Sequence, residues 1–293
     1  MCSMPRLTVP KTYKLYIGGK FPRTESGRSL AITNAKGDIA AHICHGSRKD
    51  LRDAVGAASK ASDGWSGTTG YLRSQIMYRM AEMLEGRREE FAAAIQVTQR
   101  CTATAARNEV DASVDRLVRF AGWSDKAEQV LGCSNPVAGQ YYNFTVPQSQ
   151  GVVAVIAPQT PSLLGLITLI GAPMCVGNTV VAIGSDKHPI PTAILGEVCQ
   201  TSDVPAGVVN LITGSQSELL EHIASHRQIA SIHASGLNKK DRTAMQASAA
   251  DSMKRILFSS YSPEEWADND KAASPWNIEP FVEMKTIWHP SSC

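Results

Sequence analysis

The chain has 293 residues, 43% of them hydrophobic and 19% charged, with 29 lysines and arginines against 27 aspartates and glutamates. That length and hydrophobic fraction allow up to two packed domains of roughly 100–200 residues each and exclude wholesale disorder. A formal net charge of +2 carries no bias toward nucleic acid, an acidic surface or a membrane face.

The seven cysteines (Cys2, Cys44, Cys101, Cys133, Cys175, Cys199 and Cys293) are scattered, with no CxxC pair. An odd, dispersed set reads as reduced thiols of a cytoplasmic protein and not as a disulfide framework. The N-terminal stretch MCSMPRLTVPKTYK lacks the apolar run of a secretory leader.

Short strands are predicted at 13–17, 30–32 and 39–43, each bounded by turn residues. Helical periodicity follows over 47–61, with an N-cap at Ser47 or Asp50 and Leu51, Val55 and Ala58 on one side. A second helical pattern, 71–96, carries Ile76, Met80, Met83, Leu84 and Phe91; its polar run 85–90 faces solvent or marks a joint. A third, 109–121, places Val110, Val114, Leu117 and Val118 on one face and spaces Asp115 and Arg119 for a solvated ion pair.

After an uncharged loop at 132–142 the pattern changes. Strands are predicted at 152–156, 179–183, 208–212, 229–233 and 255–258, with helices at 162–175, 191–201, 217–224 and 239–250 between them. Strands separated by helices require crossover connections, which makes the sheet parallel and doubly wound. No charge occurs from Gln129 to Ser185, and 163–183 approaches the ~20 apolar residues of a membrane span. Pro158, Pro161, Pro173, Gly165, Gly171 and Gly177 divide this stretch, so a buried strand–helix–strand unit is the expectation. Residues 261–280 read as loop, and 281–288 as an extended segment that pairs with a distant strand or with another chain.

Phosphate-binding motifs are missing. No two glycines sit two apart, so GxGxxG is excluded, and there is no GxxxxGK[ST]. His222 and His226, and His42 and His45 around Cys44, are better read as ordinary histidines than as metal ligands. Cys175 and Cys199 lie in apolar helices, where packing is the better reading than nucleophilic chemistry.

A set of blocks resembles the aldehyde dehydrogenase superfamily: YKLYIGGKF (13–21), AVGAASKASDGWS (54–66), RSQIMYRMAEMLEGRREEF (73–91), EVDASVDRLVRFAGWSDK (109–126), GVVAVIAP (151–158), GNTVVAIGSD (177–186), DVPAGVVNLITG (203–214) and IASHRQIASIHASG (223–236). The resemblance implies an α/β fold with a doubly wound, Rossmann-like five-stranded parallel sheet over 151–260. It places N-terminal strands and helices at 1–140, an oligomerisation hairpin strand at 141–150, and a linker with a C-terminal oligomerisation strand at 261–293. Tyr142, Phe144, Phe281, Met284, Lys285, Ile287 and Trp288 are the oligomerisation positions it assigns.

The resemblance also exposes departures. The family's catalytic domain of some two hundred residues, with its nucleophilic cysteine, belongs between Ser260 and the tail, and here only the linker stands there. The oxyanion-hole asparagine falls on Thr160 and the general-base glutamate on Ser259. Such groups are worth roughly 10²–10³ and 10²–10⁴ in rate, so aldehyde oxidation is not expected. Ile156, Pro158, Ile183, Asp186 and Gly236 are vestigial cofactor positions: Ile183 replaces a lysine that contacts the adenosine ribose, and Asp186 retains an acceptor for a ribose hydroxyl. The family's Phe-Thr-Gly-Ser turn reads Ala234-Ser235-Gly236-Leu237 here and keeps only the glycine, Leu220 fills space near the adenine position, and Asp241, where the family has glycine, would repel a pyrophosphate.

The leading reading is a pseudoenzyme, similar to the non-catalytic second module of two-module aldehyde dehydrogenases. It would hold no cofactor tightly and assemble with itself or with a full-length aldehyde dehydrogenase. Two alternatives stay open: a module that binds NAD(P) weakly without turnover, and an oxidoreductase whose catalytic groups come from a partner chain.

Overall fold

The computed structural model describes residues 9–291. Cys2, Cys293 and the first eight residues of the stretch searched for a leader lie outside the described residues. At the centre is a five-stranded parallel sheet built from β6 (Val152–Ile156), β7 (Thr179–Ile183), β8 (Val209–Ile212), β9 (Ile229–Ser235) and β10 (Arg255–Ser259). Its spatial order is β10-β9-β6-β7-β8, so the winding reverses between β6 and β9.

Both faces of the sheet are covered. Val153, Val155, Val180 and Ala182 pack toward α2 (Gly70–Glu85), α3 (Arg88–Gln99), α4 (Ala103–Trp123), α6 (Ser162–Cys175) and α7 (Ile190–Thr201). The alternate residues, Val152, Ala154, Ile156, Val181 and Ile183, pack toward α1 (Arg48–Ser66), α8 (Gln216–Ser225) and α9 (Lys239–Ala250). Strands buried on both faces favour apolar residues at nearly every position, which is why these read as near-continuous runs.

Every residue of α6 is buried, because this helix is caught between the sheet and α4. A Cβ on Gly171 would lie 2.4 Å from Phe120 Cδ2, so glycine sets the closeness of that crossing. The charge-free stretch is thus an internal layer, and among the described residues no helix is long and apolar enough to cross a membrane.

Several local expectations are corrected. Only β1 (Lys11–Tyr13) forms a strand within 13–17; Tyr16 and Ile17 make isolated bridges. Ser47 is the N-cap of α1 and Asp50 its N3 partner in a capping box, which uses both residues at once. The 71–96 pattern divides at Gly86–Arg87 into α2 and α3. In α4, Val118 is exposed, and the buried stripe instead includes Ser113 and Arg116. Arg119 does not pair with Asp115; it reaches Asp270 at 2.6 Å.

The segment 261–280 is not a loose loop. It folds into α10 (Pro263–Ala267) and α11 (Asn269–Ala272) and lies over α4. Trp266 and Ile278 are buried. The guanidinium of Arg116, wholly buried, donates to Asn269 Oδ1 (2.7 Å), Thr168 Oγ1 (2.6 Å) and the Trp266 carbonyl (2.6 Å). Burial lowers its pKa to about 10. Trp123 Nε1 donates to the Ala273 carbonyl at 2.8 Å.

The tail forms β11 (Val282–Pro290), which pairs antiparallel with β5 (Tyr141–Ser149) in register from Val282–Ser149 to Pro290–Tyr141. Its partner is therefore a distant strand of the same chain. β4 (Cys133–Asn135) pairs on the other side of β5, giving the order β11-β5-β4. Phe281 is not part of this strand: its ring is buried against His233, 4.9 Å between centroids, and anchors the tail to the core.

Candidate functional site

In open α/β sheets the ligand crevice lies at the carboxyl ends of the strands where the winding reverses. Here the loops after β6, β7, β8 and β9 converge, carrying Pro158, Gln159 and Thr160, Ser185 and Asp186, Gly214, and Gly236. Gly236 has φ +76°, and a Cβ there would lie 3.5 Å from Pro158 Cα, so two loops meet across the reversal point.

Of the five positions that the resemblance assigns to a cofactor, three are buried. Ile156 and Ile183 are fully buried in the core beneath α1 and α8, and Pro158 is buried. The Asp186 carboxylate receives the Gln216 backbone N–H at 3.1 and 3.2 Å, closing the first turn of α8. Burial raises its pKa, against hydrogen bonds that favour the ionised form.

The side chain of Gln216, 6% exposed, lies across the ends of β6 and β7. Its amide donates to the carbonyls of Ala157 (2.7 Å) and Gly184 (2.9 Å), and its Oε1 accepts from Gln159 Nε2 at 3.0 Å. Gln159 Oε1 in turn accepts from Ser185 Oγ (2.8 Å) and from the backbone N–H of Lys187 (3.1 Å). At the start of α9, Asn238 caps the Asp241 N–H at 2.9 Å and donates to the Asp241 carboxylate at 2.7 Å. Leu220 and Leu237 are half-buried against the core.

Of the two positions to which the resemblance assigns catalytic groups, Ser259 is engaged inside the fold. Ser259 Oγ lies 2.8 Å from His233 Nε2, and His233 Nδ1 lies 3.2 Å from the Leu169 carbonyl. A carbonyl can only accept, so Nδ1 carries the hydrogen and Ser259 donates to Nε2. Complete burial lowers the His233 pKa to about 3. This imidazole stays neutral, and the hydroxyl has no anionic base beside it.

Thr160 stands exposed at the rim of an apolar cavity of about 300 Å³ lined by Pro161, Leu164, Tyr261 and Trp266. At its edge, Glu109 accepts the backbone N–H groups of Leu163 (2.8 Å) and Leu164 (3.4 Å), capping α6 from a neighbouring helix. Burial raises the Glu109 pKa, opposed by those bonds.

Burial pushes the thiols of Cys175 and Cys199 up to about 12. Cys133 is exposed on β4. Among the described residues no three histidine, cysteine, aspartate or glutamate side chains gather to hold a metal.

Nothing local in the sequence marks Gln216, His233, Glu109 or Arg116 as site or core groups. His233 shares its strand with Ser231 and Ser235, so its polarity alone does not single it out. Gln216, at a helix start, has no sequence mark that separates it from a solvated glutamine.

A doubly wound parallel sheet with a three-stranded sheet attached through β5 and the tail defines the class: a dinucleotide-type α/β domain with an accessory β-element. Residues 22–260 match the model of the aldehyde dehydrogenase family, and the chain belongs to that family. DhaS of Bacillus subtilis (strain 168) is 30% identical over 251 residues, which cover 84% of this chain and 50% of that protein. 2-Hydroxymuconic semialdehyde dehydrogenase of Pseudomonas sp. (strain CF600) is 29% identical over 249 residues, 82% of this chain and 50% of that one. The NAD⁺-complex structure of aldehyde dehydrogenase from Bacillus cereus superposes with a TM-score of 0.80 at 25% identity, over 84% of this chain and 50% of that one. The chain spans about half the length of these relatives.

Proposed function

We propose that this chain is a non-catalytic member of the aldehyde dehydrogenase family. It acts as a subunit or scaffold that assembles with a copy of itself or with a full-length aldehyde dehydrogenase, and it holds no dinucleotide tightly. The observation that carries this reading is the segment 260–281, which joins β10 to β11 where the resemblance implies a catalytic domain. This segment packs as a cap on α4 through Trp266, Arg116 and Trp123, so the core is covered without a further domain.

Assembly is supported by the accessory sheet. β11 is an edge strand whose outer side has no partner among the described residues, and Met284, Trp288, Tyr141 and Tyr142 are 43–59% exposed on this element. An unpaired edge carrying large apolar side chains is an aggregation liability unless something covers it. Ile287 and Phe144 are half-buried between the strands, and Lys285 is exposed.

The test is sedimentation of the purified chain, alone and mixed with a full-length aldehyde dehydrogenase, together with NAD⁺-dependent oxidation of an aldehyde panel. The expected result is a dimer or a mixed complex, lost in the double variant Met284→Lys, Trp288→Ser, with no oxidation by the chain alone. A monomer that joins neither partner at ~100 μM, well above the Kd of a stable complex, would overturn the assembly reading. Turnover by the chain alone would overturn the non-catalytic one.

A further inference from the structure

We infer that the dinucleotide crevice of this chain is not merely eroded but plugged in cis, and that the amide of Gln216 is the plug. The inference rests on the cofactor-free reading above and supplies its cause.

Every hydrogen-bonding group of that amide is used. Both N–H groups are held by strand-end carbonyls, Ala157 at 2.7 Å and Gly184 at 2.9 Å, and the oxygen by Gln159 Nε2 at 3.0 Å. Ala157 lies between Ile156 and Pro158, and Gly184 lies between Ile183 and Asp186. The amide thus sits amid four of the five positions that the resemblance assigns to cofactor contact. The plug is locked from two sides. Ser185 Oγ and the Lys187 N–H hold Gln159, and the Asp186 carboxylate holds the Gln216 backbone.

A dinucleotide fits this arrangement poorly. It would have to displace a buried, fully bonded amide and bring its phosphates toward the carboxylate of Asp241 at the start of α9. Each buried amide bond that must be broken opposes entry, and three such bonds together weaken binding by roughly 10²-fold. Glycine at position 216 removes the amide and leaves the backbone N–H that Asp186 accepts.

The experiment is calorimetric titration of NAD⁺ and of AMP into the full chain and into Gln216→Gly. Gln159→Ala serves as a second variant that loosens the plug without touching α8, and thermal melting checks that each variant is folded. Silence from the wild type to 5 mM with a Kd below about 1 mM in Gln216→Gly, and weaker binding in Gln159→Ala, is the expected result. Silence from all three folded proteins would overturn the plug while leaving the cofactor-free reading intact. Binding by the wild type would overturn that reading; the plug then survives only if Gln216→Gly binds at least tenfold tighter, and equal affinity overturns it as well.

Discussion

His233 makes the stability of this fold depend on pH through a single buried imidazole. Its ring is fully enclosed, with Nδ1 donating to Leu169, Nε2 accepting from Ser259 and one face against Phe281. The pKa falls from 6.5 in the unfolded chain to about 3 in the fold, because burial penalises the charged ring. Above pH 6.5 both states are neutral and nothing is lost. Below it the unfolded chain takes up a proton that the folded chain refuses until about pH 3, so stability falls by about 1.4 kcal/mol per pH unit across that window. Between pH 6.5 and 4.5 the loss is roughly 2 kcal/mol, a large share of the ~5–15 kcal/mol of a typical domain.

The perturbation is His233→Gln, which keeps an amide donor and an acceptor but does not titrate. Urea unfolding of both proteins from pH 7 to 4.5 gives the two slopes. His188 and His226, whose pKa values burial also lowers, contribute equally to both proteins and cancel in the difference. The wild-type slope is expected to exceed that of the variant by about 1 kcal/mol per pH unit or more. Parallel slopes would show that the ring is hydrated or protonated in the fold, and the argument that Ser259 faces a neutral base would fall with it.

Two further expectations concern the cap and the thiols. Trp266→Ala removes a buried indole that packs edge-on against Tyr261 at 4.8 Å, and it should cost about 3–5 kcal/mol in urea unfolding. A loss under about 1 kcal/mol would mean that 261–281 does not cover the core as described. Alkylation at pH 8 followed by peptide mapping should label Cys133 and spare Cys175 and Cys199, whose thiols burial pushes up to about 12. Rapid labelling of either buried cysteine in the folded protein would contradict the internal placement of α6 and α7.

The doubly wound sheet was legible because its causes are local and periodic. The runs 152–156 and 180–183 are apolar at every position, as strands covered on both faces tend to be, and Gly151 and Gly177 stand just before them. The helix over 162–175 was legible for the same reason: an internal element cannot carry charge. The divided helix at Gly86 and the capping box at Ser47 and Asp50 lay within reach of local rules.

The state of the site was not legible, because it depends on which distant polar groups meet. Arg116 reads as one more charged residue on an amphipathic helix until the cap at 261–273 brings it the Trp266 carbonyl and Asn269. Asp186 reads as a solvated acceptor until α8 presents the Gln216 N–H to it. Phe281 reads as the first residue of a tail strand until the core places His233 beneath it. The sequence by itself determined the sheet, its winding and its family, since hydrophobic burial acts on patterns that every strand and helix carries within itself. Tertiary structure alone decided that the Gln216 amide bridges the ends of β6 and β7 and that the tail pairs at home, since a hydrogen bond between residues dozens of positions apart leaves no mark on either residue until folding brings them within about 3 Å of each other.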